Sequence, residues 1–254
     1  MVPYDGQRPD KFGLMTTEMI VAELAQLSAV SERILLCELN HRINNELSAA
    51  INRVSIDAVR AEHPAVKTAL CNVVDFLHQS ADVHRALRMP ERDDIIDAAE
   101  YLQTLCRSMS RSKLERAGLK LVLVTDKVWL HSSRCWQLGM IVHELVTNAS
   151  RHAFFDGREG VIRVELLRSD IQVRCEVSDN GSAARGVRPG RGLTIVGDLA
   201  KSLGGNISHS LGATGTLFKI AVPFIGKEQR ANRSRRSPNR ILPRREEELD
   251  RAQL

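Results

Sequence analysis

The chain has 254 residues, 43% of them hydrophobic, and a formal net charge of +5, which allows one large core or two modest ones. Aromatic residues make up only 4%, which argues for aliphatic cores and against a base-stacking nucleic-acid binder. Five scattered cysteines (Cys37, Cys71, Cys106, Cys135 and Cys175) lack any C-x-x-C spacing, which argues against both a disulfide framework and a zinc site.

Residues 1–13 are polar, contain two Pro and two Gly, and read as a disordered tail without the apolar core of a signal peptide. Residues 14–61 run without Pro or Gly. Ile20, Leu24, Leu27, Leu36, Leu39, Ile43, Leu47, Ala50 and Val54 recur at mostly helical spacing. A helix this long with a narrow apolar seam needs partner helices. His63-Pro64 marks a turn. A second helix then places Val66, Leu70, Val73, Val74, Leu77 and Val83 inward until Met89-Pro90 breaks it. Residues 95–114 read as a shorter helix that closes a helical region over 14–114.

The pattern changes near Gly118. Residues 119–124 predict a strand and 136–153 an amphipathic helix, and 161–167 and 171–178 predict a hairpin. A helix over 193–203 ends at Gly204-Gly205, and strands at 207–210 and 216–222 complete the pattern. The expected fold is an all-α first part followed by an α/β sandwich with a mostly antiparallel sheet over 115–226. Lys and Arg crowd the stretch after residue 227, so 227–254 is expected to be a charged, solvated tail. No stretch is long and apolar enough to span a bilayer, so a cytoplasmic protein without membrane insertion is expected.

Two regions carry candidate chemistry. In the first helix, His41 lies two residues from both Leu39 and Ile43, roughly 160° from the apolar seam at about 100° per residue. Geometry alone leaves a surface histidine and a nucleophile equally open. Glu38 and Asn45 share its face. A carboxylate one turn away is able to take a proton from one ring nitrogen and raise the nucleophilicity of the other. Asn45 is placed to orient an incoming phosphoryl oxygen, and Arg42 to neutralise charge.

In the second region, Glu144, Asn148 and Arg151 line one polar helix face. The Asn148 amide oxygen suits Mg²⁺, Glu144 suits a base or the orientation of a metal-bound water, and Arg151 suits a phosphate. Asp179-Asn180-Gly181 ends a strand. Its carboxylate suits an exocyclic amine such as that of adenine, although D-N-G by itself reads mainly as a tight turn. Gly190-Arg191-Gly192 opens a helix, where backbone N–H groups are able to approach an anion. Gly215-Thr216 precedes the last strand and reads as a hairpin turn or as a base-contacting hydroxyl.

Taken together, these motifs resemble bacterial two-component sensor histidine kinases, on the branch whose acceptor motif reads Glu-Leu-x-His-Arg-x-x-Asn, including the HWE group. The resemblance covers about residues 27–224. It implies a helical-hairpin dimerisation and phosphoacceptor domain, forming a four-helix bundle in the homodimer, followed by a Bergerat-type (GHKL) ATPase α/β sandwich. By this resemblance His41 is the phospho-acceptor and Glu144 and Asn148 are the catalytic and magnesium-binding residues. Arg151 contacts phosphate and Asp179, with Gly181 beside it, binds adenine. Gly190 and Gly192 form the phosphate loop and Thr216 belongs to the late Gly-Thr pair. ATP and Mg²⁺ are the implied cofactors and a response-regulator receiver domain the implied partner, with input from a separate sensory protein or ligand. Where the HWE group carries Trp-x-Glu, this chain reads Cys175-Glu176-Val177. Two rival expectations are a histidine phosphotransfer protein with a degenerate ATPase-like half and a Ser/Thr kinase of the same superfamily.

Overall fold

The computed structural model describes residues 17–90, 92–154, 159–182, 191–212 and 215–234, with side chains from residue 34 onward. Residues 1–13 and 235–254, expected to be tails, lie outside the described residues.

Helix α1 (Thr17–Arg60) and helix α2 (Pro64–Ala86) form a hairpin and pack along each other. Pro64 opens α2 with its φ preset, and the His63 side chain accepts the Ala65 N–H at 3.3 Å. Ile51 and Ala58 of α1 and Ala81 and Val83 of α2 are buried. Val66 and Val73, expected to face inward, are 50% and 45% exposed, and Leu36 and Leu39 of α1 are also exposed. A single hairpin offers each helix one partner, and each apolar stripe is wider than that contact, so its outer edge stays uncovered.

Residues 95–114 are not one helix of the helical region. Ile95–Asp97 forms strand β1, followed by helix α3 (Ala98–Met109) and a π-helical turn over Ser110–Leu114. β1 pairs antiparallel with β3 (Trp129–His131), Ile96 lying opposite Leu130. Asp97 then caps α3 by accepting the Ala99 N–H at 2.9 Å. Two β-branched residues followed by a capping Asp thus favour a strand that stops before a helix. The apolar face of α3 (Leu102, Leu105, Cys106, Met109) is buried in one cluster with Leu119, Leu138 and Ile141. The segment therefore packs within the sandwich, which begins nearer residue 95 than 115.

The main sheet has the order β2 (Leu119–Thr125), β4 (Gly160–Arg168), β5 (Gln172–Asp179), β7 (Gly215–Pro223), β6 (Asn206–Gly212). β2 and β4 are parallel and the other neighbours antiparallel. Helices α3, α4 (Ser132–His152) and α5 (Arg191–Ser202) supply the core against it. Period-two alternation in β4 buries Ile162, Val164 and Leu166, while Arg163 and Glu165 pair on the other side at 2.6 Å. On β5, Glu176 lies between Arg174 and Lys219 at 3.7 and 3.9 Å.

The expected tail from residue 227 is also corrected, because Gly226–Ser234 forms helix α6, docked on the sandwich. Glu228 is fully buried. It pairs with the Arg134 guanidinium and accepts N–H bonds from His131 at 2.9 Å and Ile225 at 3.1 Å. Arg134 also donates to the carbonyls of Leu203 and Pro223 at 3.1 and 2.8 Å. One turn on, Asn232 accepts the Trp129 N–H at 3.0 Å and donates to the Trp129 carbonyl at 2.7 Å. The high charge of this segment concealed two polar residues whose partners lie about a hundred residues earlier. Removing one member of a buried, fully bonded ion pair strands the other, at a cost of about 3–5 kcal/mol. Glu228→Ala is expected to lower stability by about that amount in urea unfolding, whereas Glu38→Ala, at an exposed pair, is expected to leave the unfolding midpoint unchanged within error.

Candidate functional site

His41 is exposed on α1, and its Nδ1 lies 3.2 Å from the Asn45 side-chain amide one turn on. Glu38 does not meet the ring. Its carboxylate accepts from the Arg42 guanidinium at 2.8 Å, and that bond, more than the nearby His41, holds its carboxyl below the usual range. The acceptor face therefore divides into two i,i+4 contacts, Glu38 with Arg42 and His41 with Asn45.

The second group converges on α4. A Cβ at Gly192, in the first turn of α5, would fall 2.8 Å from Glu144 Oε2 and within 3.5 Å of the Asn148 amide. The backbone of the α5 N-terminus therefore lies directly against the two polar side chains of α4, a closeness that only glycine permits without moving the carboxylate. Gly190 lies outside the described residues.

Just beyond Asn148, at the C-terminal end of α4, the D-N-G turn is stitched in place. Asp179 Oδ1 accepts the Gly181 N–H at 2.9 Å, and Ser182 N donates to the Ala153 carbonyl at 2.9 Å. Asn180, which sequence reasoning passed over, bonds both backbone groups of Val161: its Oδ1 accepts at 2.8 Å and its N–H donates at 3.2 Å. Gly215, at φ +138°, would place a Cβ 1.9 Å from the Asp179 carbonyl oxygen. Glycine is thus required twice there, by conformation and by space. This approach brings Thr216 beside the end of β5. The structure accordingly gathers Glu144, Asn148 and Gly192 at one place and Asp179, Gly181 and Thr216 at the adjoining end of α4. Arg151 is exposed in the last turn of that helix. Among the described residues, no hydrogen bond or ion pair joins Glu38 or His41 to this group.

Comparison with known families agrees with this division. Residues 38–113 match the family model described as "Histidine kinase", and residues 97–218 match the "Histidine kinase-like ATPase domain". These two models, both of histidine kinases, together span residues 38–218, and the chain belongs to that family. It is 27% identical over 202 residues to "Blue-light-activated histidine kinase 2" of Erythrobacter litoralis, covering 74% of this chain and 57% of that protein. It is 28% identical over 204 residues to "Sensor histidine kinase PdtaS" of Mycolicibacterium smegmatis, covering 76% of this chain and 40% of that one. The chain thus spans about half the length of these curated relatives, or less. Among solved structures, the histidine kinase domain of the Erythrobacter litoralis EL346 blue-light activated histidine kinase shares the fold. Its TM-score is 0.51 at 22% identity, over 73% of this chain and 98% of that one. A structure described as a bacterial phosphotransferase has a TM-score of 0.52 at 17% identity, over 76% and 96%.

The histidine of the α4 motif is set apart from the Glu144–Asn148 face. Among the described residues His143 Nδ1 is buried without a hydrogen-bond partner, and the Glu144 carboxylate is 3.9 Å away. Burial first, then the positive charges of Lys113, His84 and Arg151, push its imidazolium down to about 4 from an ordinary 6.5. The unfolded chain therefore takes up this proton before the folded one does. The stability that depends on neutral His143 is complete above pH 6.5 and is lost as the pH falls toward 4. The slope for one such group approaches about 1.4 kcal/mol per pH unit. Between pH 7 and pH 5, His143→Gln is expected to lose roughly 1–2 kcal/mol less stability than the wild type in urea unfolding.

Proposed function

We propose that this chain transfers the γ-phosphoryl group of ATP to His41 and passes it on to an aspartate of a response-regulator receiver domain. The observation that carries this reading is the close approach of the α5 N-terminus, at Gly192, to Glu144 and Asn148. A helix N-terminus favours phosphate, and an amide oxygen is a hard ligand suited to Mg²⁺. Anion and cation donors thus adjoin. In this reading Asn148 ligates Mg²⁺, which supplies charge neutralisation at the phosphates. Gly190, Gly192 and Arg151 hold the phosphates, and Asp179, with Gly181 and Thr216, receives the adenine.

His41 provides the nucleophile. A side-chain amide is able to present either end to a ring nitrogen. With its oxygen toward Nδ1, Asn45 accepts a hydrogen bond from Nδ1–H and leaves the Nε2 lone pair free. The Nε2–P bond then forms, the bond to the β–γ bridging oxygen breaks, and ADP leaves. Positioning and charge neutralisation account for most of the catalysis. Because Glu38 is engaged by Arg42, Glu144 is the better candidate for a base near the phosphates. The uncovered apolar edges of α1 and α2 (Leu36, Leu39, Val66, Val73) fit a homodimeric four-helix bundle. Among the described residues no helix is long and apolar enough to cross a membrane.

Incubation with γ-labelled ATP and Mg²⁺ is expected to give acid-labile, alkali-stable label on the protein, abolished by His41→Ala and by Asn148→Ala. A folded chain that takes no label from ATP but accepts it from a phosphorylated receiver domain would replace this reading with the phosphotransfer one. Substitution at Asn45 tests the tautomer directly. Asn45→Asp, whose carboxylate still accepts from Nδ1–H, is expected to keep labelling. Asn45→Leu is expected to lower the initial rate by about ten- to a hundredfold.

A further inference from the structure

A cleft of about 210 Å³ opens between α2, the π-helical turn and α4. It lies on the face of α4 that carries His143, Thr147 and Ser150. Those positions are each one residue out of step with Glu144, Asn148 and Arg151, so the cleft is turned about 100° from the nucleotide-binding face. Its floor is apolar, made by Val83, Met109, Leu114 and Val146, all buried. Its polar groups come from three elements: Ser80 and His84 on α2, Ser112 and Lys113 on the turn, and His143, Thr147 and Ser150 on α4. The Ser80 and Thr147 hydroxyls make no hydrogen bond among the described residues, and His143 Nδ1 is buried without one. No carboxylate lines the cleft, and neither Lys113 nor His84 is ion-paired among the described residues.

A buried polar atom without a partner carries a desolvation cost that a bound group relieves. The volume lies below the roughly 300 Å³ at which drug-sized pockets begin, which limits an occupant to one ring or a short branched chain. The single ammonium at the mouth suits one negative charge, and the apolar floor disfavours a compact, doubly charged ion.

We infer that this cleft binds a small organic monoanion, an aromatic or branched-chain carboxylate. The carboxylate meets Lys113, His84 and the His143 imidazole, and the hydrocarbon rests on Val83, Met109 and Val146. One wall belongs to the helical hairpin and the others to the ATPase sandwich, so the ligand binds only the arrangement in which the two are together. Its occupancy therefore favours that arrangement. On the proposed phosphotransfer reading, this slows His41 labelling, because the nucleotide site has to reach α1.

The test is calorimetric titration of the full chain with sodium benzoate, beside benzyl alcohol and benzylammonium as neutral and cationic controls. Benzoate is expected to bind saturably with a Kd of about 0.1–1 mM, and the controls not to bind. Lys113→Met is expected to weaken binding by about tenfold or more. Ser80→Phe, which fills the cleft, is expected to abolish it while urea unfolding shows a folded chain. Amide exchange in α2 is expected to slow with benzoate. Absence of saturable binding, equal binding of benzyl alcohol, or undiminished binding to Lys113→Met would overturn the site. Binding without slower α2 exchange would overturn the clamp. With ATP, saturating benzoate is expected to cut the labelling rate severalfold in the wild type and not in Ser80→Phe. A chain that binds benzoate yet never labels would remove the kinase reading and leave the cleft standing.

Discussion

The packing of α4 against the sheet is the constraint from which the rest of the molecule follows. Leu138, Ile141, Val142 and Leu145 are almost wholly buried there, and that burial fixes the rotation of the helix. At about 100° per residue, the Glu144–Asn148–Arg151 face must then point toward α5, and the His143–Thr147–Ser150 face toward α2. A slip of one residue along α4 would carry one of these faces into the place of the other, so core packing, rather than any polar contact, assigns each face its chemistry. Both ends of the helix are held as well. Asp93 of the segment after α2 accepts the Ser133 N–H at 3.0 Å, and the Ala153 carbonyl accepts from Ser182 at the far end.

Two kinds of ion pair serve different ends here. Arg134 and Glu228 are buried, and every bond they make ties a separate stretch of chain together: the first turn of α4, the end of α5, the end of β7 and α6. Such a pair specifies arrangement more than it adds net stability, because desolvation offsets much of the attraction. Arg42 and Glu38 are exposed and contribute little to stability. Their effect is local and chemical. By holding the Glu38 carboxylate, Arg42 leaves the Asn45 amide as the side chain beside His41 Nδ1.

Much of this was legible in the sequence. The strands over 119–124, 161–167, 171–178, 207–210 and 216–222 all form, because period-two burial and Gly-bounded turns are local signals. The glycines and polar residues of the nucleotide motifs were visible by type and spacing, although only the folded chain shows Gly192 against Glu144. Three features were hidden because their causes are distant in sequence. β1 is three residues long and exists only because β3 pairs with it. Val66 and Val73 fit the helical stripe, but a single partner helix is too narrow to cover them. α6 is strongly hydrophilic, and its anchors Glu228 and Asn232 are recognised only once Arg134 and Trp129 are in place. In each case a partner distant in sequence decided the outcome.

The helical hairpin and the sandwich are joined by side-chain and backbone bonds as well as by the chain itself. Trp136 Nε1 donates to the Leu87 carbonyl at 2.8 Å, Ser132 Oγ donates to the Arg92 carbonyl at 2.6 Å, and Ser132 N donates to the Asp94 carbonyl at 2.8 Å. These anchors lie at the C-terminal end of α2 and just beyond it, so motion of the hairpin against the sandwich must pivot there. The cleft beside the pivot lacks the close packing of the core, and its buried His143 nitrogen has no hydrogen-bond partner among the described residues. A fully packed junction would resist movement, and an open one would hold no defined geometry. A small polar-lined gap beside a bonded pivot costs little to open or to close. Weak binding there is therefore able to shift the balance between arrangements, since a ligand moves an equilibrium only by its differential affinity for the two states. On the proposed phosphotransfer reading, control then needs neither a change in the nucleotide site nor a change at His41, only that α2 be held or released at the face of α4 turned away from Glu144 and Asn148.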